Sequence, residues 1–332
     1  MPEVSPSDAL GSAARTTLVA APPLIVIAGA TATGKTGLSL GLAEAIGNAQ
    51  IISADSRQIF RGMDIGTAKA DPQMRRRVPH HGLDLVDPDA AFTVADYVCH
   101  AHAALADIAA SGGTAILVGG SGLYLRAVAR GVPVGETGHD PAERGRLEQR
   151  LNLEGLPALV DQLRRTAPGV AAATDLANPR RVVRALERVA EKGDRPPPAP
   201  RGYPGPVLWL GLDAEPAEHR AAITSRAAGQ FAGGLLEEAA ALGERYGTTP
   251  VPFSAMSYRE AFKVLGQHLS IHEAIEQTAR RTWAYARRQR TWFRREPDIT
   301  WLRGFDQRSV ATAVEAARPF LDGVLPSGLG EP

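Results

Sequence analysis

Eight residues, Gly29-Ala30-Thr31-Ala32-Thr33-Gly34-Lys35-Thr36, restrict the possible folds of this 332-residue chain more than any other feature. They fit G-x-x-x-x-G-K-[ST], directly after the apolar run Leu24 to Ala28 and at the head of a segment with helical spacing, Lys35 to Ile46. In that strand-loop-helix setting the glycines let the loop curl. Successive backbone N–H groups, backed by the helix N-terminal dipole, then converge on one anion. Lys35 would bridge phosphate oxygens, and the Thr36 hydroxyl would ligate Mg²⁺. The expected ligand is a diphosphate or polyphosphate, with all eight residues, Gly29 through Thr36, as its cradle.

A short, continuous apolar run before such a loop reads as a buried parallel strand. A second β-branched run follows at Ile51-Ile52, then helical spacing from Val94 to Ala110 and a third strand at Ala115 to Val118. Strand and helix in alternation predict an α/β core built on a parallel sheet flanked by helices. Turn residues cluster at Gly131 to Gly138, and from Asp140 the next fifty or so residues are rich in Arg, Glu, Leu and Ala with no strand candidate. This reads as a helical insertion. It ends at residues 195–206, where six prolines in twelve residues make a stiff linker. Strand character returns at Val207 to Leu212, most simply as another strand of the first sheet, and Pro216 to Arg295 reads as mainly helical. The expected organisation is an N-terminal tail (1–23), a discontinuous core (24–130 and 203–305), the insertion with its exit linker (131–202) and a C-terminal helix and tail (306–332).

Composition narrows the function classes less than the loop does. Lys and Arg number 37 against 36 Asp and Glu, a net charge of +1, so bulk charge neither announces nor excludes a nucleic acid. Cys99 is the single cysteine, which rules out an intrachain disulfide framework and a Cys-cluster zinc site and suits a reducing cytoplasm. No apolar run approaches the roughly 18 to 20 residues of a membrane span, and the Ala/Ser/Pro-rich N-terminus does not read as a secretion signal. The pair His80-His81 has no partners at metal-ligand spacing and reads as a loop pair that orders a site or meets substrate.

Asp55 follows the second strand in ISADSRQIF. In an open α/β sheet the carboxyl ends of neighbouring strands line one crevice, so Asp55 is expected to face the anion held at Gly29 to Thr36. A carboxylate there suits a base acting on an acceptor's hydroxyl or amine. A helix-capping Asp beside Ser56 is the plainer alternative. The strand Ala115 to Val118 ends in Gly119-Gly120-Ser121-Gly122 rather than in the Asp that a nucleotide-hydrolysing motor would place there. A small-molecule kinase using ATP stays open on these residues alone.

Five segments in order, GATATGKT, IISADSRQIFRGMDIGTAK, VPHHGLDLVDP, ILVGGSGLYLRA and ARRQRTWFRRE, resemble the tRNA dimethylallyltransferase family from about Leu24 to Trp301. The resemblance implies a P-loop NTPase-like core and transfer of a dimethylallyl group from dimethylallyl diphosphate to N6 of the adenosine 3′ of the anticodon in tRNA, with pyrophosphate leaving. It implies that the loop holds the isoprenoid diphosphate with Mg²⁺, that Thr31 and Arg226 contact it, and that Asp55 is the catalytic base. Asp55, Ser56, Arg57 and Gln58 would lie against the target nucleotide, Ser121 near its entrance, and Arg144, Arg180, Arg181 and Arg184 on the anticodon stem-loop. Three departures stand out: Ser121 where the family usually has Thr, Arg180 where it has Gln, and Ser257-Tyr258-Arg259 where it has Gly-Tyr-Lys. A relative acting on free adenine nucleotides, the adenylate isopentenyltransferases, would share the loop and Asp55 but have no use for an Arg-rich insertion. A non-catalytic RNA-binding module would not need the intact Lys35-Thr36 pair and Asp55. A monomer is expected.

The late segment adds an argument of its own. On a helical wheel Arg280, Arg281, Arg287, Arg288, Arg294 and Arg295 share one arc, while Trp283, Ala286 and Phe293 lie outside it. Such a stripe suits a phosphate backbone or a solvated face, and the aromatic ridge suits core packing.

Overall fold

The computed structural model describes residues 21–134, 140–255, 257–306 and 308–323. Most of the expected N-terminal tail, part of the turn cluster at 131–138 and the end of the chain lie outside these residues. Among the described residues, contacts divide the chain into two compact units, one within 21–92, 96–129 and 203–323 and the other within 93–95 and 130–202.

The first unit is built on six parallel strands, β1 (Leu24–Gly29), β2 (Ala49–Ser53), β3 (His80–His81), β4 (Thr114–Gly119), β5 (Val207–Asp213) and β6 (Ile299–Arg303), in the order β3-β2-β4-β1-β5-β6. Every residue of β1 is buried, because its neighbours pair on both edges: Leu24 is in register with Ala115 of β4 and with Val207 of β5. Helices then cover the faces, which explains why these strands are apolar throughout rather than alternating. On one face α1 (Lys35–Ile46) and α12 (Ser309–Leu321) bury Leu38, Leu42, Ala313 and Phe320 against Ile25, Ile27 and Leu210. The helices α2 (Pro72–Arg77), α3 (Val94–Ala110) and α4 (Gly122–Ala129) also belong to this unit, apart from the first residues of α3. A further apolar cluster joins Ile59 and Met63 to α8 (Pro216–Ala232), α9 (Leu235–Tyr246) and α10 (Tyr258–Leu265) through Phe231, Leu235 and Tyr258.

Two strands go beyond the sequence reading. The His80-His81 pair forms β3 rather than a loop, and β6 lies within the expected core at a stretch to which no strand was assigned. Both are edge strands with a solvent-facing side: Trp301 of β6 is 40% exposed. Edge strands lack the continuous apolar run by which the central strands announce themselves.

The second unit is helical, with α5 (Pro141–Thr166), α6 (Pro168–Ala172) and α7 (Pro179–Lys192). Asp140 caps α5 by accepting from the Ala142 and Glu143 N–H groups, and Asn178 caps α7 by accepting from Arg181 N–H. Gly155, at φ 80°, kinks α5 just before Pro157. Leu159, Leu163, Val170, Val182 and Leu186 form its core.

Candidate active site

The loop after β1, the turn after β2 and the turn after β4 all leave the carboxyl edge of the sheet, and together they bound a cavity of about 590 Å³. Gly34, the N-cap of α1, sits at φ 95°, a left-handed conformation that only glycine adopts without strain. The first turn of α1 carries no acidic residue, so its N-terminal dipole is left uncompensated toward the cavity. Thr33 Oγ1 and Lys35 Nζ both donate to the Ala30 carbonyl, at 2.9 and 2.6 Å. Desolvation lowers the Lys35 pKa to about 8, with the Asp55 charge opposing this and the Arg226 charge adding to it. The three groups therefore share one electrostatic environment.

Asp55 lies two residues beyond β2 and lines the cavity with Lys35, Thr36 and Arg226. Its Oδ1 accepts from the Arg57 N–H at 2.8 Å, a turn that fixes the carboxylate without consuming its second oxygen. The β4 turn approaches it backbone to backbone. A Cβ on Gly119 would stand 2.0 Å from the Ala54 carbonyl oxygen, so only glycine fits. Ser121 Oγ accepts from the Ser56 N–H at 3.0 Å and thus braces the Asp55 turn. Ser56 and Arg57 line the cavity too. Gln58 also lines it, but its amide is engaged by protein: Oε1 accepts from Ser53 Oγ, and Nε2 reaches the Thr67 and Ala68 carbonyls. Beneath this turn Tyr97 and Tyr124 stack at 3.9 Å, and the Tyr97 hydroxyl donates to the Ser53 carbonyl. Burial and the Asp55 charge push the Tyr124 hydroxyl up to about 12.

Arg226, on α8, donates to Thr31 Oγ1 at 3.3 Å and to the Thr67 carbonyl at 3.2 Å. Burial lowers its pKa while the Asp55 charge raises it. The segment 64–67, of which Gly66 and Thr67 line the cavity, is held from behind. Glu238 accepts from three consecutive backbone N–H groups, those of Asp64, Ile65 and Gly66, and from the Tyr258 hydroxyl. Ser257 Oγ and Gln230 Nε2 donate to the Gly66 carbonyl. Ser257 itself sits at φ 81°, ψ −51°. That is a conformation for which glycine is suited, and it is the position where the resembled family has glycine.

The arginine stripe of α11 (Ile271–Phe293) does not act as one surface. Arg281 and Arg288 line the cavity, Arg281 paired with the buried Glu260 and Arg288 set over the Tyr285 ring at 5.7 Å. Arg290 and Arg294 bind Asp213 at the end of β5, at 2.8 and 3.1 Å. Arg280 pairs with Glu276, while Arg287 and Arg295 are exposed. Ala286 and Phe293 are buried, and Trp283 packs edge-on against His219.

In the helical unit Arg180, Arg181 and Arg184 are exposed along α7 while Val182, Val183 and Leu186 point inward. Arg144 is drawn in. Its Nε donates to Glu187 at 2.8 Å, and that buried carboxylate also takes Arg184 at 3.1 Å. Arg181 stands 3.8 Å from Asp175.

Several residues that line the cavity or brace its wall from behind escaped the sequence reading. Gln289 is buried inside an arginine-rich run, donates to the Gly120 carbonyl and accepts from the Thr31 N–H. Its one signal was an uncharged amide where a solvated face would have no need of it. His219, Tyr285 and Glu238 carried none. His80 lines the cavity with Nδ1 2.7 Å from the Val78 carbonyl, His81 Nε2 lies 2.8 Å from Gln50 Oε1, and His100 accepts from the Gly82 N–H. Among the described residues no cluster of three or more His, Cys, Asp and Glu could hold a metal, and no helix is long and apolar enough to cross a membrane.

A family model described as IPP transferase matches residues 58–296. A tRNA dimethylallyltransferase of Anaeromyxobacter dehalogenans (strain 2CP-C) is 41% identical over 299 residues, 88% of this chain and 99% of the relative. One from Roseiflexus sp. (strain RS-1) is 43% identical over 289 residues, covering 84% and 92%. The crystal structure of a full-length tRNA isopentenylpyrophosphate transferase from Bacillus halodurans superposes with a TM-score of 0.67 at 35% identity, over 91% of this chain and 97% of that one. A eukaryotic dimethylallyltransferase acting on tRNA shares the fold, with a TM-score of 0.75 at 23% identity over 92% of this chain and 81% of that one.

Proposed function

Since the chain belongs to the IPP transferase family, we propose that its cavity takes dimethylallyl diphosphate and moves the dimethylallyl group to N6 of the adenosine 3′ of the anticodon. This is an enzyme that transfers a prenyl group to tRNA. Dimethylallyl diphosphate as the donor is supported by the shared cavity of Lys35, Thr36, Arg226 and Asp55. That cavity sets an anion cradle beside a carboxylate.

An allylic C–O bond breaks readily once charge on the departing diphosphate is neutralised, so catalysis rests on stabilising the leaving group and on positioning. The loop N–H groups, Lys35 and Arg226 supply fixed positive charge where that negative charge develops. The adenine amine is a poor nucleophile because its lone pair is delocalised into the ring. As its nitrogen bonds to the allylic carbon, the C–O electron pair leaves with pyrophosphate and the amine proton passes to Asp55. The target base is unpaired in an anticodon loop, which keeps the cost of presenting it to a few kcal/mol or less.

The donor set fits Mg²⁺. The Thr36 hydroxyl, in the first turn of α1 and lining the cavity, is an oxygen donor of the kind this hard cation takes beside a phosphate-binding loop, and it would hold the ion against the diphosphate. When bound, Mg²⁺ would add neutralising charge to the diphosphate. The exposed Arg180, Arg181 and Arg184 of α7 suit an RNA backbone, and Arg144, tied to Glu187, would act by holding that helix pair together. A monomer in the cytoplasm completes the proposal.

The test is incubation with labelled dimethylallyl diphosphate or labelled ATP, offering bulk tRNA or AMP as acceptor. Label moving from the prenyl donor to tRNA and not to AMP is expected. Transfer to AMP would favour a free-nucleotide enzyme, and phosphate transfer from ATP a kinase.

A further inference from the structure

Thr31 is the one residue of the phosphate loop whose three polar groups are all held by side chains from distant helices. Its N–H donates to Gln289 Oε1 at 2.8 Å, its carbonyl accepts from His219 Nε2 at 2.8 Å, and its hydroxyl accepts from Arg226 at 3.3 Å. His219 and Arg226 come from α8 and Gln289 from α11, 188, 195 and 258 residues along the chain. Such bonds are not made locally by a curling loop.

Each clamp has a single orientation. The His219 ring is 2% exposed and meets the Trp283 ring edge-on at 5.6 Å, so it cannot swing away from the loop. Because its partner is a carbonyl, Nε2 carries the proton. Burial, with the nearby Lys35 and Arg290 charges, keeps this imidazole below its usual range against the pull of the Thr31 carbonyl, so it donates as the neutral tautomer. Gln289 cannot flip. Its Nε2 donates to the Gly120 carbonyl at 2.8 Å, and exchanging the two amide atoms would set oxygen against oxygen there and N–H against N–H at Thr31.

We propose that His219 and Gln289 are positioning residues, which grip the Thr31 backbone from two sides so that its hydroxyl and the Arg226 guanidinium meet the leaving diphosphate in one fixed geometry. This rests on the proposed function, in which Thr31 and Arg226 contact the diphosphate. A hydroxyl on an unsupported loop would drift, and a displacement of about 1 Å in a reacting site can cost about a hundredfold in rate.

A double-mutant cycle tests it, using the full-length enzyme with tRNA and dimethylallyl diphosphate. His219→Phe keeps the ring against Trp283 and removes the donor. It is expected to lower kcat about tenfold to a hundredfold with KM for tRNA and Tm little changed. His219→Gln, whose amide nitrogen can reach the place of Nε2, should recover most of the rate. In a Thr31→Ala background, His219→Phe should cost about threefold or less, since the group it positions is already gone. Losses that multiply in full, or a rate that Gln does not restore in a stable protein, would overturn the proposal. If His219→Phe does not fold, Gln289→Met serves as the second arm with the same expectation. Should wild type fail to prenylate tRNA, the proposed function falls while the clamp is still decided by running the same cycle on affinity for inorganic pyrophosphate. The inference then predicts weakening by His219→Phe only when Thr31 is present.

Discussion

Lys35 Nζ donates to the carbonyl oxygen of Ala30 at 2.6 Å, five residues back in its own loop, so the ammonium is folded onto the turn from which it would reach an anion. Desolvation holds its pKa at about 8. An incoming diphosphate stabilises the charged form and raises that value.

Binding above about pH 8 should therefore take up a proton. The part of pyrophosphate affinity that Lys35 contributes is expected to be full below about pH 8 and to fade as pH rises beyond it, until the pKa of the bound state is passed. Calorimetry in two buffers of different ionisation enthalpy, on wild type and Lys35→Ala, measures it as the difference in proton uptake, the ligand's own ionisation being common to both. Lys35→Ala should remove that difference and lower the transfer rate by about 10²- to 10³-fold.

Asp55→Asn retains an oxygen for the Arg57 N–H and so leaves the turn intact. Binding of tRNA and of pyrophosphate should persist while the single-turnover rate drops roughly 10²- to 10⁴-fold, the range for a lost general base. Lost tRNA affinity with an unchanged rate would make Asp55 a binding residue instead.

Ser257, at φ 81°, is strained in a way glycine is not. Removing its hydroxyl leaves the Gly66 carbonyl with Gln230 Nε2 as donor. Ser257→Gly and Ser257→Ala lose the same side-chain bonds, to the Gly66 carbonyl and from the Glu260 N–H, yet the glycine variant should be more stable by about 1 to 2 kcal/mol, because only it relieves the backbone. Urea unfolding of the two variants measures the difference, and equal midpoints would contradict it.

The imidazoles of His80, His81, His100, His102 and His219 are all held below the usual range, with burial the largest cause in each. The unfolded chain then binds these protons first as pH falls. Stability should be full above about pH 6.5 and decline as pH drops through the depressed folded-state values. His100 has a visible reason, since its Nε2 accepts from the Gly82 N–H and protonation would break that bond. Tm measured from pH 7.5 downward should fall for wild type and less steeply for His100→Gln.

If the exposed face of α7 meets RNA, tRNA affinity should fall linearly with salt on logarithmic axes, and Arg181→Ala should make the slope shallower by about one unit while pyrophosphate affinity holds. Filter binding across a salt series is the measurement. Identical slopes would remove Arg181 from the interface.

How much of the site was legible follows from what each residue's partner is. Gly34, Lys35, Thr36 and Asp55 sit in one loop and at one strand end, so their place beside a single cavity could be read from spacing. The arginines of α11 look alike on a wheel, yet Arg281 pairs with Glu260 and lines the cavity while Arg290 and Arg294 anchor the helix to Asp213. Periodicity tells which face a residue occupies but not what the face meets. The strands β3 and β6 escaped for a related reason, since a two-residue His-His edge and a half-exposed edge carry little hydrophobic pattern.

What the sequence by itself determined is the phosphate loop, the parallel core and the separate helical segment, because these follow from short-range chemistry: glycine where φ is positive, unbroken apolar runs where both sheet faces are covered, and Asp or Asn at helix starts. What only the tertiary structure decided is the company each loop residue keeps. In the sequence Thr31 is a loop position between two alanines, and the resemblance implies a diphosphate contact for it but names none of its protein partners. Its three polar groups are nevertheless closed by His219, Arg226 and Gln289. Those bonds exist because α8 and α11 pack together over the loop, and a hydrogen bond across nearly two hundred residues or more depends on the docking of two elements, which neither segment encodes alone.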